Sequence, residues 1–151
     1  MLKRIVIFAV IGLVAAAALI QLVPYGHDHP NPPVKSEPAW DSPQTRALAQ
    51  RACFDCHSNQ TVWPWYSNLA PVSWLVYGDV MEGRQRLNFS DWNRHEGQYV
   101  DEFKEVYYEK NMPPASYLSL HPPARLTSAE WKQLFDGLET IAAHYQPPSS
   151  P

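Results

Sequence analysis

From Ile5 to Val23 the chain runs nineteen residues without a charge, apolar except for Gln21 and set directly behind Lys3 and Arg4. At ~1.5 Å per residue such a stretch makes a helix of about 28 Å, close to the ~30 Å hydrocarbon thickness of a bilayer. No other feature constrains the fold as much, because it takes the start of the chain out of any water-facing core. The two cations ahead of the run, with no acidic residue before Asp28, place the N-terminus in the cytoplasm and everything from Pro24 onward outside. A cleaved signal peptide would need a shorter apolar region ending in a small-x-small site. The small residues Ala15 to Ala18 instead lie inside the run, with Leu19 to Val23 behind them, so residues 1–23 read as a retained transmembrane anchor. Either route exports the rest of the chain.

Without Lys3 and Arg4, the 128 residues that follow the anchor carry 10 Lys and Arg against 15 Asp and Glu, a net charge of −5. That balance excludes a nucleic-acid footprint. At this length one compact domain is expected, and with it one site.

Residues 24–42 read as a stiff tether: six prolines between Pro24 and Pro43 forbid a helix and favour extended backbone. His27 and His29 in this stretch read as solvated. Ser42 followed by Pro43 is a helix start, with an N-cap hydroxyl and proline at the first helical position, and no breaker follows through Ala52. Residues 58–68 are too rich in turn formers and aromatics for regular structure. Pro71 opens a second helix that ends near Gly83, Ser90 caps a short segment interrupted by Gly97, and Val100, Phe103, Val106 and Tyr107 recur at helical spacing. Asn111-Met112-Pro113-Pro114 ends that helix and a loop runs to Leu126. Thr127-Ser128-Ala129-Glu130 is a capping box. Behind it Trp131, Leu134, Phe135, Leu138, Ile141, Ala142 and Tyr145 fall on one stripe, and Gln133, Asp136, Thr140 and His144 on the other side. With no strand alternation and no repeat, the expected class is all-α: an anchor, the tether, a helical domain over residues 43–146 and a disordered tail at 147–151.

The chain's only cysteines stand in Cys53-Phe54-Asp55-Cys56-His57. Two thiols three residues apart on a helical turn reach the two vinyl groups of a porphyrin, and the histidine after the second thiol coordinates its iron from the same side. A thioredoxin-like redox pair would want a preceding strand and a βαβ context. A structural zinc site would need two more ligands at typical spacing, with no cysteine left to supply one. A disulfide between Cys53 and Cys56 leaves His57 unexplained. The motif therefore reads as the attachment site of one covalent haem c, with Cys53 and Cys56 as thioether residues and His57 as the proximal iron ligand.

On these residues the sequence resembles the cytochrome c-like haem-binding domain family of bacterial membrane-anchored proteins. Besides the cysteine motif, the resemblance is carried by Asn31-Pro32-Pro33, Trp63-Pro64-Trp65-Tyr66-Ser67 and Met112-Pro113-Pro114, and it extends over residues 24–145. It implies a cytochrome c-like helical domain around a single c-type haem and a role in electron transfer.

Met112 is the expected ligand on the distal side of the iron, with His121 as the alternative. Met112 stands in a proline-stiffened loop 55 residues after His57, like the Met-Pro loop of small cytochromes c, and His121 lies on a second rigid loop, Leu120-His121-Pro122-Pro123. Met81 falls on an apolar helix face, where methionine packs rather than ligates. Trp63, Trp65 and Tyr66 are candidates for the haem wall, although an ordinary aromatic core accounts for them nearly as well. Asn68, Arg84 and Asn88 are candidates for propionate contact, and His95 and His144 read as surface residues.

Three function classes remain. The leading expectation is a single-haem electron carrier, not an enzyme, at the bacterial inner membrane. Its domain would lie in the periplasm or on the outer face, serving redox protein partners, and the sequence identifies no small-molecule substrate. A haem enzyme or gas sensor would instead keep one iron face open, with His121 or Arg125 as the acid–base group. An assembly protein would use haem only to stabilise its fold.

Overall fold

In a computed structural model, residues 1–94, 99–109 and 111–145 are described. His95, Gly97 and the tail at 147–151 lie outside them. Most of the apolar run forms one helix, α1 (Leu2–Ile20), which takes in Lys3 and Arg4 at its start, ends before Gln21 to Val23 and has no buried residue; it is long and apolar enough to cross a membrane.

Capping chemistry starts the first domain helix where the sequence places it. Ser42 Oγ accepts the Thr45 amide at 3.1 Å and Pro43 takes the first position, giving α2 (Pro43–Ala52). That helix passes through Cys53 into the single turn α3 (Phe54–His57). The next helix, α4, spans Val72–Arg86 and so runs past Gly83, where an end was expected. Glycine there preserves the helix and serves packing instead. Behind it follow α5 (Tyr99–Glu109), α6 (Ala115–Leu120) and α7 (Ser128–Ala143). Short 3₁₀ turns at Trp65–Asn68, Trp92–Arg94 and Pro122–Ala124 complete the set. The stretch expected as a loop up to Leu126 thus holds α6 and a 3₁₀ turn, and residues 65–68 are regular after all. The fold is all-α. Among the described residues, extended pairing is limited to one bridge, Ser36 to Asp91.

The capping box at the start of α7 is complete: Thr127 Oγ1 accepts the Glu130 amide while the Thr127 amide donates to Glu130 Oε2 at 2.7 Å. The stripe read from the sequence becomes the core. Leu134, Leu138 and Ile141 are buried with Leu48 and Ala49 of α2, and Trp131, Phe135, Ala142 and Tyr145 pack against them. Gln133, Asp136, Thr140 and His144 are exposed. From this core a column of rings leads to the cysteine turn: Phe103 stacks on Trp92, Trp92 on Phe89 and Phe89 on Phe54, with centroids 6.4, 5.9 and 5.4 Å apart. Phe54 is 2% exposed, so truncating it to Ala should cost ~3–5 kcal/mol.

The proline-rich segment 24–42 is extended, but it lies against the domain instead of standing off it. The Lys35 amide donates to Ser90 O (2.8 Å), Asn31 Nδ2 to Thr61 O (2.9 Å) and Asn59 Nδ2 to Pro33 O (3.0 Å). Arg84, itself buried, donates to Pro30 O (2.7 Å), Asn31 Oδ1 (2.8 Å), Thr61 Oγ1 (2.8 Å) and Ser58 O (2.7 Å). Backbone with no internal hydrogen bonds has to find partners wherever it is buried. Here it finds them on residues 58–61, on Arg84 and on Ser90. His29, expected in solvent, stacks on Trp63 at 4.5 Å and its Nε2 donates to Ser67 O at 3.0 Å.

Candidate functional site

The Cys53 amide closes α2 on Ala49 O at 2.8 Å, and the amides of Cys56 and His57 return to Cys53 O at 3.2 and 2.8 Å. The two sulfurs and the imidazole therefore belong to one turn. The thiols are half-buried and not joined to each other. Burial, with the charge of Cys56 adding to it, pushes Cys53 up to about 12; burial and the nearby Asp79 and Asp55 push Cys56 up to about 11. Redox-active pairs have the opposite character, with a thiol lowered toward neutrality. Both sulfurs here are held as S–H groups.

His57 is turned by its backbone neighbours. Its Nδ1 faces Gly83 O at 3.0 Å and Leu87 O at 3.2 Å. Only an N–H can face a carbonyl oxygen, so the proton sits on Nδ1 and Nε2 carries the lone pair. Burial lowers the imidazole below its ordinary value, which keeps it neutral. A metal-ligating histidine needs this arrangement, with its second nitrogen oriented by a backbone carbonyl. Gly83 makes it reachable, because a Cβ at that position would stand 2.5 Å from Cys56 O. The Phe89 amide, donating to His57 O at 2.8 Å, fixes the turn from the other side.

Asp55, between the cysteines, ties the turn to two loops. Its Oδ1 accepts the Val62 amide at 3.0 Å, its carbonyl accepts Thr61 Oγ1 at 2.7 Å, and its Oδ2 accepts the Tyr117 hydroxyl at 2.7 Å. Tyr117 stacks flat on His121, with centroids 4.0 Å apart. His121 Nδ1 donates to Tyr117 O at 3.0 Å, so its Nε2 is also the bare nitrogen; Tyr66 Oη is 3.5 Å from it, at the long limit of a hydrogen bond.

The residues picked from the sequence thus divide. His57, Cys53 and Cys56 share one turn. His121 and Tyr66 meet beside it through Tyr117 and Asp55. Met112 is 39% exposed, Trp65 is 75% exposed, and Trp63 lies under His29. Of the candidates for propionate contact, Arg84 is spent on backbone and strap, Asn88 Nδ2 donates to Asn59 Oδ1 at 2.9 Å, and Asn68 Nδ2 donates to Trp65 O at 3.1 Å. Gly83, Asp55 and Tyr117 were missed, and the sequence carries no local pattern that would have singled them out.

Among the described residues no three His, Cys, Asp or Glu side chains gather as ligands for a bare metal ion. Two unjoined S–H groups beside a neutral imidazole with a free Nε2 do fit a porphyrin whose iron brings its own four nitrogens. Comparison with known proteins adds one finding: the family model described as a haem-binding domain matches residues 15–140. No curated protein and no solved structure matches the chain.

Proposed function

The chain belongs to the haem-binding domain family, and from that premise we propose that it is a c-type cytochrome, holding one haem by thioether bonds and passing electrons between redox proteins on the outer side of the bacterial inner membrane. One observation carries the reading. His57 Nδ1 is held by Gly83 O and Leu87 O, which leaves Nε2 bare beside two unjoined thiols. Cys53 and Cys56 would hold the porphyrin edge, and His57 would hold the iron. Bound there, haem supplies a reversible one-electron couple. The chain's part is to keep the imidazole neutral and oriented through the Gly83 and Leu87 carbonyls, and to brace the turn through Asp55, Phe54 and Phe89. For the distal side the reading takes His121 in place of the expected Met112. An orientation argument supports His121, whose Nδ1 is occupied and whose ring is clamped by Tyr117. A ligand on each side would suit a carrier that changes charge without exchanging ligands.

The test is the full chain made with the haem-ligation machinery of a bacterium. A haem-staining band that survives denaturation, a mass increase of one haem and a thioether-type pyridine haemochrome are expected. All three should vanish in Cys53→Ala/Cys56→Ala. Mature protein of unmodified mass sinks the proposal. A high-spin ferric spectrum with rapid carbon monoxide binding would keep the haem but move the function to an enzyme or gas sensor with an open iron face.

A further inference from the structure

Two long stretches of the chain carry no Asp, Glu, Lys or Arg: residues 5–26 and residues 58–78. The first holds α1, and the fold brings the second to its end. Gln21, the residue after the last of α1, donates through Nε2 to Ala70 O at 2.9 Å and accepts the Ala70 amide on Oε1 at 2.9 Å. Five residues on, Gly26 takes a φ of +77° and passes so close to α4 that a Cβ there would stand 2.8 Å from the Ser73 carbonyl. Between them Tyr25 sets its ring against Tyr77 at 5.2 Å. The connection from α1 to the domain is therefore fastened at three points and has no slack.

This fastening fixes the level of the domain. Behind Lys3 and Arg4 the uncharged part of α1 runs from residue 5 to residue 20 and reaches about 24 Å, no more than the hydrocarbon layer takes up, so Gln21 stands where the helix leaves it. Ala70 is at the same level. On either side of Ala70, Leu69 is 48% exposed, Val72 41% and Leu75 68%, while Leu22 and Tyr25 are exposed on the segment leaving α1. Apolar side chains with a tyrosine beside them, at the depth where a spanning helix exits, match the composition that the interface between lipid and water selects.

We propose that the domain lies on the membrane instead of hanging below it, with Leu69, Val72 and Leu75 set into the lipid headgroup layer next to α1. The proposal rests on the reading of α1 as a spanning helix. Its occupant is lipid, because the face continues directly from that helix and carries no charge with which to select a protein.

The experiment places a photoreactive p-benzoylphenylalanine singly at positions 69, 75 and 133 of the full chain, in vesicles of phosphatidylethanolamine and phosphatidylglycerol. Position 133 lies on the exposed polar face of α7. Irradiation should yield lipid adducts, read by mass, at 69 and 75 and none at 133. A chain that resists carbonate extraction yet gives no lipid adduct at 69 and 75 overturns the proposal and leaves the anchor standing. Adducts of doubled protein mass would show a second copy on the face instead, and would also overturn it. In native membranes, adducts to a different protein in place of lipid would do the same. Release of the chain by carbonate refutes the anchor itself.

Discussion

Gly83 of α4 rests on the backbone of Cys56: a Cβ at Gly83 would stand 2.5 Å from the Cys56 carbonyl oxygen and 3.0 Å from its carbon. The same residue offers its own carbonyl to His57 Nδ1 at 3.0 Å. Close approach and imidazole orientation are thus one structural fact, and any side chain at position 83 disturbs both.

Gly83→Ala should therefore destabilise the domain by ~1–3 kcal/mol, the usual cost of forcing a methyl group into a packed contact. Gly78, in the same helix, has nothing within 4 Å of its added Cβ. Gly78→Ala should instead stabilise by about 0.5–1 kcal/mol through helix propensity. Urea unfolding of the full chain in detergent, followed by circular dichroism, reads both. Equal midpoints for the two variants would mean that α4 does not press on the cysteine turn.

What the sequence made legible follows the range of the signal. The Ser42-Pro43 start, the Thr127–Glu130 box and the stripe from Trp131 to Tyr145 are local patterns, and each stands where it was read. That Cys53, Cys56 and His57 share one turn was legible because they stand within five consecutive residues. The strap was not. Its partners, Thr61, Ser90 and Arg84, lie 30 to 55 residues away, and an extended chain has no period to reveal which face it buries. Arg84 illustrates the limit: an arginine reads as a surface charge or an anion contact, and nothing nearby in sequence says that it gathers four oxygens.

Those four oxygens make Arg84 the residue that closes the strap. Arg84→Lys cannot span Ser58 O, Pro30 O, Asn31 Oδ1 and Thr61 Oγ1 at once, because an ammonium is a point donor and a guanidinium a planar fork. Buried acceptors left without donors cost ~1–3 kcal/mol. The unfolding midpoint should fall by about that much, and limited proteolysis should cut residues 24–42 sooner than in the parent chain. Unchanged cleavage would show that the strap is held elsewhere.

Acid should loosen α7 at a definite place. Hydrogen bonds from the Thr127 amide, Arg51 and the Thr127 hydroxyl hold Glu130 at about 2, below the ordinary value of 4.5. A carboxyl lowered on folding contributes stability that is fully present above its unfolded value and is lost as pH falls through its folded one. The Glu130 contribution should therefore fade between pH 4.5 and about 2, and Glu130→Gln should lower stability at pH 7 while flattening that part of the profile. Thermal unfolding of both chains across pH 2 to 7 checks it. Parallel profiles would mean that the capping carboxylate is not coupled to folding.

The proposed distal ligand is open to a sharper test than the proposed proximal one. His121 has its Nδ1 on Tyr117 O and its ring stacked on Tyr117, which in turn is bonded to Asp55 between the two cysteines. Met112 is 39% exposed, and a thioether is too weak an acceptor to be oriented in advance by the hydrogen bonds that hold an imidazole. Histidine on both sides gives a lower potential than histidine with methionine. The haem-loaded chain should therefore lack the near-infrared methionine–iron band, and His121→Ala should turn a low-spin ferric spectrum high-spin and open the ferrous form to carbon monoxide. Met112→Ala should leave spectrum and potential close to those of the parent. The reverse pattern, with the near-infrared band present and lost in Met112→Ala, would assign the sulfur instead and leave the Tyr117–His121 stack a brace for the cysteine turn.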